Sequence, residues 1–381
     1  MAPRTPMQRR VFAACCALAF AAAVPPAPPA SNNPVPALVA ELGLEEAAQR
    51  VDQRAGWRRP RKIIVRAEEF VSFPGVEWLQ PVAPGVQLVA LDKVEVAVEQ
   101  ARDADAVIGW CDARILAAGP RIRWIQSFYA GVENCVAVPA VRDRDLLLTN
   151  MQRVQSPVIA EHAIAMILAL ARGLDLGVAQ QPAREWRPDA ILGSGRLRVL
   201  KGKTLLVAGL GGIGTEVARR AHALGMRVVA TRASDRMGPD FVSYVGTPDE
   251  LAKLAAEADV VVNALPLTPA TRDTFDARMF GAMKHSALFV NVGRGGTVVT
   301  PALVQALQNG ALGGAGLDVT DPEPLPADHP LWQAPNVIIT PHISSESELG
   351  FTRVWEIVRE NLRRYVAGER MLSVVDVARG Y

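Results

Sequence analysis

The stretch Gly209-Leu210-Gly211-Gly212-Ile213-Gly214 lies directly behind the apolar run 205–208 and directly ahead of a helical pattern at 215–224. A lone G-x-G-x-x-G is a weak pattern, but a strand before it and a helix after it restrict the chain to one local geometry. Gly209 permits the tight turn, Gly211 lets the backbone approach a pyrophosphate, and Gly214 lets helix and strand pack closely. The helix N-terminus then faces the negative charge. The competing reading is an ordinary glycine-rich strand–helix turn; the flanking elements favour a dinucleotide loop.

The rest of the chain agrees with this fragment. Apolar runs at 204–208, 227–230, 260–264, 287–292, 314–318 and 337–340 read as buried strands between helices. They match the six strands of the two mononucleotide halves of a Rossmann domain. An earlier set, 63–65, 86–91, 106–110, 122–126 and 146–149, reads in the same way and predicts a smaller α/β domain. At 381 residues the chain has room for both. Between them Ser156-Pro157 opens an apolar helix at 158–172, with Ser156 as N-cap and Glu161 in the first turn. It is apolar almost all round, which predicts burial, including between subunits. Residues 37–54 read as a short helical stretch, and 346–366 as an amphipathic helix able to return to the first domain.

Composition narrows the function classes. Forty-one basic against 39 acidic residues leave a formal charge of +2, with no patch or tail that argues for nucleic acid. Residues 1–36 differ from the remainder: Arg4, Arg9 and Arg10 precede an apolar run at 11–24, an Ala21-Ala22-Ala23 cleavage candidate and a Pro/Ala stretch. This fits an export signal, and Arg9-Arg10-Val11-Phe12 resembles the twin-arginine pattern used for folded, periplasmic cargo. The alternative is a disordered Ala-rich extension on a cytoplasmic protein. The run is shorter than the ~20 residues a spanning helix needs, so no stable membrane span is expected. Cys15 and Cys16 fall in this segment; Cys111 and Cys135 sit in apolar stretches and read as small buried hydrophobes rather than ligands or a bridge. No metal-ligand spacing is present.

Cofactor choice is set at the tip of the strand after the glycine loop. NAD readers place an acidic residue there for the ribose hydroxyls. Here the strand runs into Thr231-Arg232-Ala233-Ser234, with Arg236 close by. Two guanidinium groups suit a 2′-phosphate, so NADP(H) is expected over NAD(H). The alternative is that Arg232 only covers the adenine.

Three residues at or beyond later strand ends have the types that reduction of a 2-oxo acid requires. Arg294 can hold a carboxylate and face a developing alkoxide. His342 can give and take the proton, and Glu323 can orient the ring and keep it protonated. Singly, each has a plain alternative as a surface cation, a loop charge or a structural hydrogen-bonder. His162, His222, His285 and His329 read as packing or surface histidines.

The sequence resembles the D-isomer-specific 2-hydroxyacid dehydrogenases, which include glyoxylate/hydroxypyruvate reductases and phosphoglycerate dehydrogenases. The matching stretches are Gln126-Ser127-Phe128-Tyr129-Ala130-Gly131-Val132-Glu133, Ala160-Glu161-His162, the glycine loop and Leu265-Pro266-Leu267-Thr268. They continue through Asn291-Val292-Gly293-Arg294-Gly295, Gly314-Ala315-Gly316-Leu317-Asp318-Val319 and Thr340-Pro341-His342, in family order over roughly 60–370. The resemblance implies two Rossmann-like parallel-sheet domains. A dinucleotide-binding domain (154–344) is inserted into a smaller flavodoxin-like substrate domain (57–153 and 345–381).

The resemblance also assigns roles. It implies that Arg294, Glu323 and His342 are catalytic and that the amides of Ala130 and Gly131 help hold the substrate carboxylate. Asp318 falls where the family contacts the nicotinamide carboxamide, and Leu265, Pro266 and Thr268 lie along the cofactor. Gly209, Gly211, Gly212, Ile213 and Gly214, with Thr231, Arg232 and Ser234, complete the cofactor set. A homodimer is implied, as is a small-molecule 2-oxo or 2-hydroxy acid substrate. The chain departs from the family in three places: Arg232 stands at the acidic ribose position, Tyr129 replaces a smaller residue, and residues 1–36 are unusual. A nucleotide-sensing, corepressor-like binding protein is the alternative function on this fold. Formate-specific relatives carry an amide at the place of Glu323.

Overall fold

The computed structural model describes residues 35–381, so the export-like segment up to Pro34, with Cys15 and Cys16, lies outside the described residues. Val35–Leu42 forms α1 and Glu46–Arg50 forms strand β1. Five short strands follow: β2 (Lys62–Arg66), β3 (Gln87–Leu91), β4 (Ala106–Ile108), β5 (Trp124–Gln126) and β6 (Leu147–Thr149). A one-turn helix, α2 (Glu133–Val136), lies between the last two. The long apolar stretch becomes α3 (Ser156–Arg172), continued by α4 (Leu174–Gln180) and α5 (Pro188–Leu192).

The second series comprises β7 (Thr204–Ala208), α6 (Gly212–Ala223), β8 (Arg227–Thr231) and β9 (Tyr244–Gly246). It continues through β10 (Val260–Asn263), β11 (Leu288–Asn291), β12 (Gly314–Leu317) and β13 (Val337–Ile339). Helix α7 (Gly350–Ala367) and β14 (Arg370–Leu372) close the chain.

Strands β2–β6 make a five-stranded parallel sheet in the order β3-β2-β4-β5-β6. The second sheet has seven strands in the order β13-β12-β11-β10-β7-β8-β9. All its pairings are parallel, with Val207 between Ala230 on one side and Val262 on the other. These runs are continuously apolar because both faces of each sheet are covered: Ile63, Ile64 and Val65 are all fully buried, as are Val207, Val261 and Val262. Each such side chain contributes about 1.5–3 kcal/mol on burial. The order of the seven-stranded sheet reverses at β7, opening a crevice between the carboxyl ends of β7 and β10, the place where such sheets take ligands.

Four local expectations are corrected. The 37–54 stretch is not one helix: the chain leaves α1 through Gly43 at φ +59°, and Glu46–Arg50 pairs antiparallel with β14. The sequence EAAQR has neither alternation nor β-branching, so only its partner at the far end of the chain makes it a strand. Ser156 is the first residue of α3 rather than its side-chain cap, and Glu161 lies beyond the first turn, paired with Arg220 at 3.0 Å. The short edge strand β9 was not legible. Finally, Cys111 and Cys135 form a disulfide, with Cα atoms 5.0 Å apart. Both read as hydrophobes because their neighbours are apolar; the return of α2 over the end of β4 brings them together.

Candidate active site

The glycine loop leaves β7 and enters α6 with the geometry its sequence requires. Gly209 sits at φ +96°. A Cβ on Gly214 would stand 2.1 Å from the Gly209 carbonyl oxygen, so the third glycine is needed for strand–helix contact. A Cβ on Gly211 would meet nothing within 4 Å, which leaves that backbone open to a ligand. No side chain caps the N-terminus of α6, so its first amides, those of Gly212, Ile213 and Gly214, are available to an anion. The Thr231 carbonyl accepts hydrogen bonds from the Gly209 and Leu210 amides (3.2 and 2.9 Å) and fixes the loop against β8. These features fit a pyrophosphate.

At the adenosine end the two arginines part company. Arg232 is held loosely, donating to the Met237 carbonyl at 3.2 Å with Asp235 at 3.6 Å. Ser234 donates to Asp235 at 3.0 Å. Arg236, expected as a second phosphate ligand, is instead engaged by the Tyr244 hydroxyl (2.9 Å) and by Glu250 (2.8 Å). Hydrogen bonds from Tyr244, then from Thr247 and Arg236, lower the Glu250 carboxyl to about 2, so it is charged at neutral pH and keeps that pair closed. Of the two arginines, Arg232 is the one not closed on a carboxylate within 3 Å. On the other wall of the crevice the Leu265 amide donates to Asn263 (3.1 Å). Thr271 ties the Pro266 carbonyl (2.6 Å) and the Thr268 amide (2.8 Å), which gives residues 265–268 a fixed path.

Arg294, Glu323 and His342 follow three adjacent strands, β11, β12 and β13, at their carboxyl ends. The structure joins the last two: His342 Nδ1 lies 2.6 Å from Glu323 Oε1, with both side chains about two-fifths exposed to the cleft. His342 has a left-handed backbone, φ +54°, and the buried Asp318 holds that turn. The His342 amide donates to the Asp318 carbonyl at 2.8 Å. Asp318 Oδ1 accepts from the Thr340 hydroxyl (2.7 Å) and the Ile343 amide (3.0 Å), and Oδ2 accepts from the Ser344 amide (3.0 Å). Burial pushes the Asp318 carboxyl up, but these hydrogen bonds outweigh it and hold it below its ordinary value. The resemblance puts Asp318 at the nicotinamide carboxamide, and in the structure its carboxylate also anchors the His342 turn.

Two further groups escaped the sequence reading. The Thr340 hydroxyl gives its hydrogen to Asp318, so His162 Nε2, 2.9 Å away, is the donor to Thr340. His162 thus braces the anchor from α3. Glu133 accepts from Arg294 Nε at 2.9 Å, while Arg294 Nη1 donates to the Gly293 carbonyl at 2.8 Å. Its Nη2 packs over the Ala130–Gly131 backbone so closely that a Cβ on Gly131 would stand 1.8 Å from it. A guanidinium set against the Gly131 backbone and an imidazole with a carboxylate behind it therefore stand beyond the carboxyl ends of neighbouring strands. That set can bind a carboxylate and exchange a proton with a neighbouring oxygen.

Residues 164–344 match the family described as D-isomer specific 2-hydroxyacid dehydrogenase, NAD binding domain. The glyoxylate reductase of Korarchaeum cryptofilum is 34% identical over 288 residues, which is 72% of this chain and 83% of that protein. A D-isomer specific 2-hydroxyacid dehydrogenase family protein of Aeromonas salmonicida is similar in structure, with TM-score 0.71 and 33% identity over 83% of this chain and 99% of that one. The NADPH-dependent glyoxylate/hydroxypyruvate reductase of Sinorhizobium meliloti, solved with NADP and sulfate, gives TM-score 0.70 and 26% identity over 84% and 100%.

Proposed function

From its membership of the D-isomer specific 2-hydroxyacid dehydrogenase family, as an NAD(P)-dependent oxidoreductase of 2-hydroxy acids, we propose that this chain works as an NADPH-dependent reductase of small 2-oxo acids such as glyoxylate and hydroxypyruvate. The observation that carries the reading is the 2.6 Å contact of Glu323 with His342, which follow the neighbouring strands β12 and β13, with Arg294 just beyond the next strand, β11.

The glycine loop, residues 265–268 and Arg232 hold the nucleotide, which supplies the hydride when bound. Arg294 and the amides of Ala130 and Gly131 hold the substrate carboxylate and set the carbonyl carbon in place. His342 gives a proton from Nε2 to the carbonyl oxygen as that oxygen gains charge, and takes it back in the reverse direction. Glu323 fixes the ring through Nδ1, so that Nε2 faces the substrate. His342→Ala is expected to lose at least ~100-fold in kcat while the dissociation constant for NADPH stays the same. Retained turnover would remove the assignment.

NADPH preference rests on Arg232, just past the tip of β8, at the position where the family's NAD readers carry an acidic residue. Steady-state rates with both nucleotides test it, and a clear preference for NADH overturns it. A homodimer is supported by the exposed apolar side chains of Leu174, Val178, Trp186 and Leu192 on the arm that follows α3. Analytical ultracentrifugation reads it directly. Export of the protein is supported by the Cys111–Cys135 disulfide, a bond that persists in oxidising compartments. N-terminal sequencing of the protein from cell fractions tests it: a mature start near Val24 or within the Pro/Ala stretch supports export, and an intact Met1 in the cytoplasmic fraction counts against it.

A further inference from the structure

Large apolar side chains exposed on a folded surface mark places where something apolar is bound. Two groups of them stand out in this chain. One is the arm after α3; the other borders the catalytic cleft on the carboxyl edge of the five-stranded sheet. Phe70, in the turn after β2, is 63% exposed; Tyr129, just before the carboxylate-binding loop, is 47% exposed; Ile343, next to His342, is 45% exposed.

Ring contacts tie Phe70 to the segment that carries Tyr129 and so make one wall, while Ile343 belongs to the turn after β13. The Phe70 ring stands 5.7 Å from that of Phe351 in the first turn of α7, edge to face. Phe351 stands 6.2 Å from Phe128, the residue before Tyr129. The ring contacts therefore run from Phe70 to the buried Phe128, three residues before Gly131, where the backbone meets Arg294, and the exposed Tyr129 follows Phe128 directly. A substrate held by its carboxylate at that point directs its side chain either along this wall or into water.

The nearby cation does not change the character of the wall. Arg66, at the end of β2, is closed on Glu68 by two hydrogen bonds of 2.9 and 2.7 Å and also meets the Tyr129 hydroxyl. The pair is neutral as a unit. A second carboxylate or a phosphate on the substrate would have to displace Glu68 to reach Arg66.

We propose that the Phe70–Phe351–Tyr129 wall is the side-chain subsite of the enzyme. Its preferred substrates are then 2-oxo acids with a large, uncharged apolar or aromatic group at C3, ahead of glyoxylate. This rests on the reductase reading above and refines its substrate class. Glyoxylate carries only a hydrogen where that group would lie, so it covers none of the exposed rings.

The test is a set of initial-rate measurements with NADPH and, in parallel, NADH on glyoxylate, 2-oxoglutarate, 4-methyl-2-oxopentanoate and phenylpyruvate. The expected result is a kcat/KM at least tenfold higher for the last two than for glyoxylate or 2-oxoglutarate. Glyoxylate or 2-oxoglutarate as the best substrate overturns the proposal and leaves the reductase reading standing. Absence of turnover on all four with either nucleotide sinks both. Phe70→Ala removes an exposed ring and its edge-to-face contact with Phe351. It should lower the phenylpyruvate-to-glyoxylate ratio of kcat/KM at least tenfold. An unchanged ratio assigns the ring to another task and overturns the subsite.

Discussion

Glu133 Oε1 lies 2.9 Å from Arg294 Nε, although 161 residues separate them. Glu133 opens α2, after β5 of the five-stranded sheet, and Arg294 follows β11 of the seven-stranded sheet. The contact fixes one edge of the guanidinium and leaves Nη2 over Gly131. Substitution Glu133→Gln removes the charge and keeps the shape. A charge-assisted hydrogen bond contributes about 1.5–3 kcal/mol when buried; with both side chains near one-third exposed, about 1 kcal/mol is expected here. KM for the 2-oxo acid should rise roughly fivefold, and the dissociation constant for NADPH should not move. An unaltered KM would show that Arg294 needs no such partner.

The second prediction concerns the disulfide. Cys111 and Cys135 close a loop of 24 residues' separation, and a cross-link of that length stabilises by about 3 kcal/mol in the chain-entropy account. Reduction by a dithiol, or the double substitution Cys111→Ser/Cys135→Ser, should lower the melting temperature by several degrees. Calorimetry reads this. The double variant should not respond to the reductant, and a wild-type protein with the same melting temperature in both conditions contradicts the bond.

Asp318 makes a prediction about acid. Its folded-state carboxyl lies below the unfolded value of about 3.9. The stability it contributes is therefore present in full above about pH 4 and is lost as pH falls through the lower, folded value. Asp318→Asn turns a carboxylate oxygen into a donor facing an amide; Oδ2 now accepts from the Ser344 amide at 3.0 Å. The cost is about 1–3 kcal/mol for the unsatisfied pair. Urea midpoints between pH 6 and pH 2 should fall more steeply at the acid end in the wild type than in the variant. Parallel curves would assign the acid sensitivity elsewhere.

Arg232 makes the fourth. Arg236 is engaged by Glu250, while Arg232 makes only a 3.2 Å hydrogen bond to the Met237 carbonyl, and the proposed NADPH preference rests on it. Arg232→Ala should raise KM for NADPH by roughly tenfold or more, the equivalent of about 1.5 kcal/mol. KM for NADH should change far less. Equal losses on both nucleotides would mean that Arg232 covers the adenine ring instead.

What could be read from residues alone was local. The strands of both sheets, the edge strand β9 apart, were legible because a strand covered on both faces must be a short apolar run. The glycine loop was legible because its three glycines answer steric demands within six residues. Arg294, Glu323 and His342 were found because each stands just past a strand end, where a parallel sheet puts its ligands. Tertiary structure decided the partners. Glu46–Arg50 became a strand only by meeting Arg370–Leu372, and Cys111 became half of a disulfide only because α2 returns over β4. Arg236 met Glu250, and Glu133 met Arg294, through folds of the chain that no spacing encodes. Side-chain periodicity reports which face a residue turns to the core. It carries no information on which distant group, sharing that face, arrives within three ångströms of it.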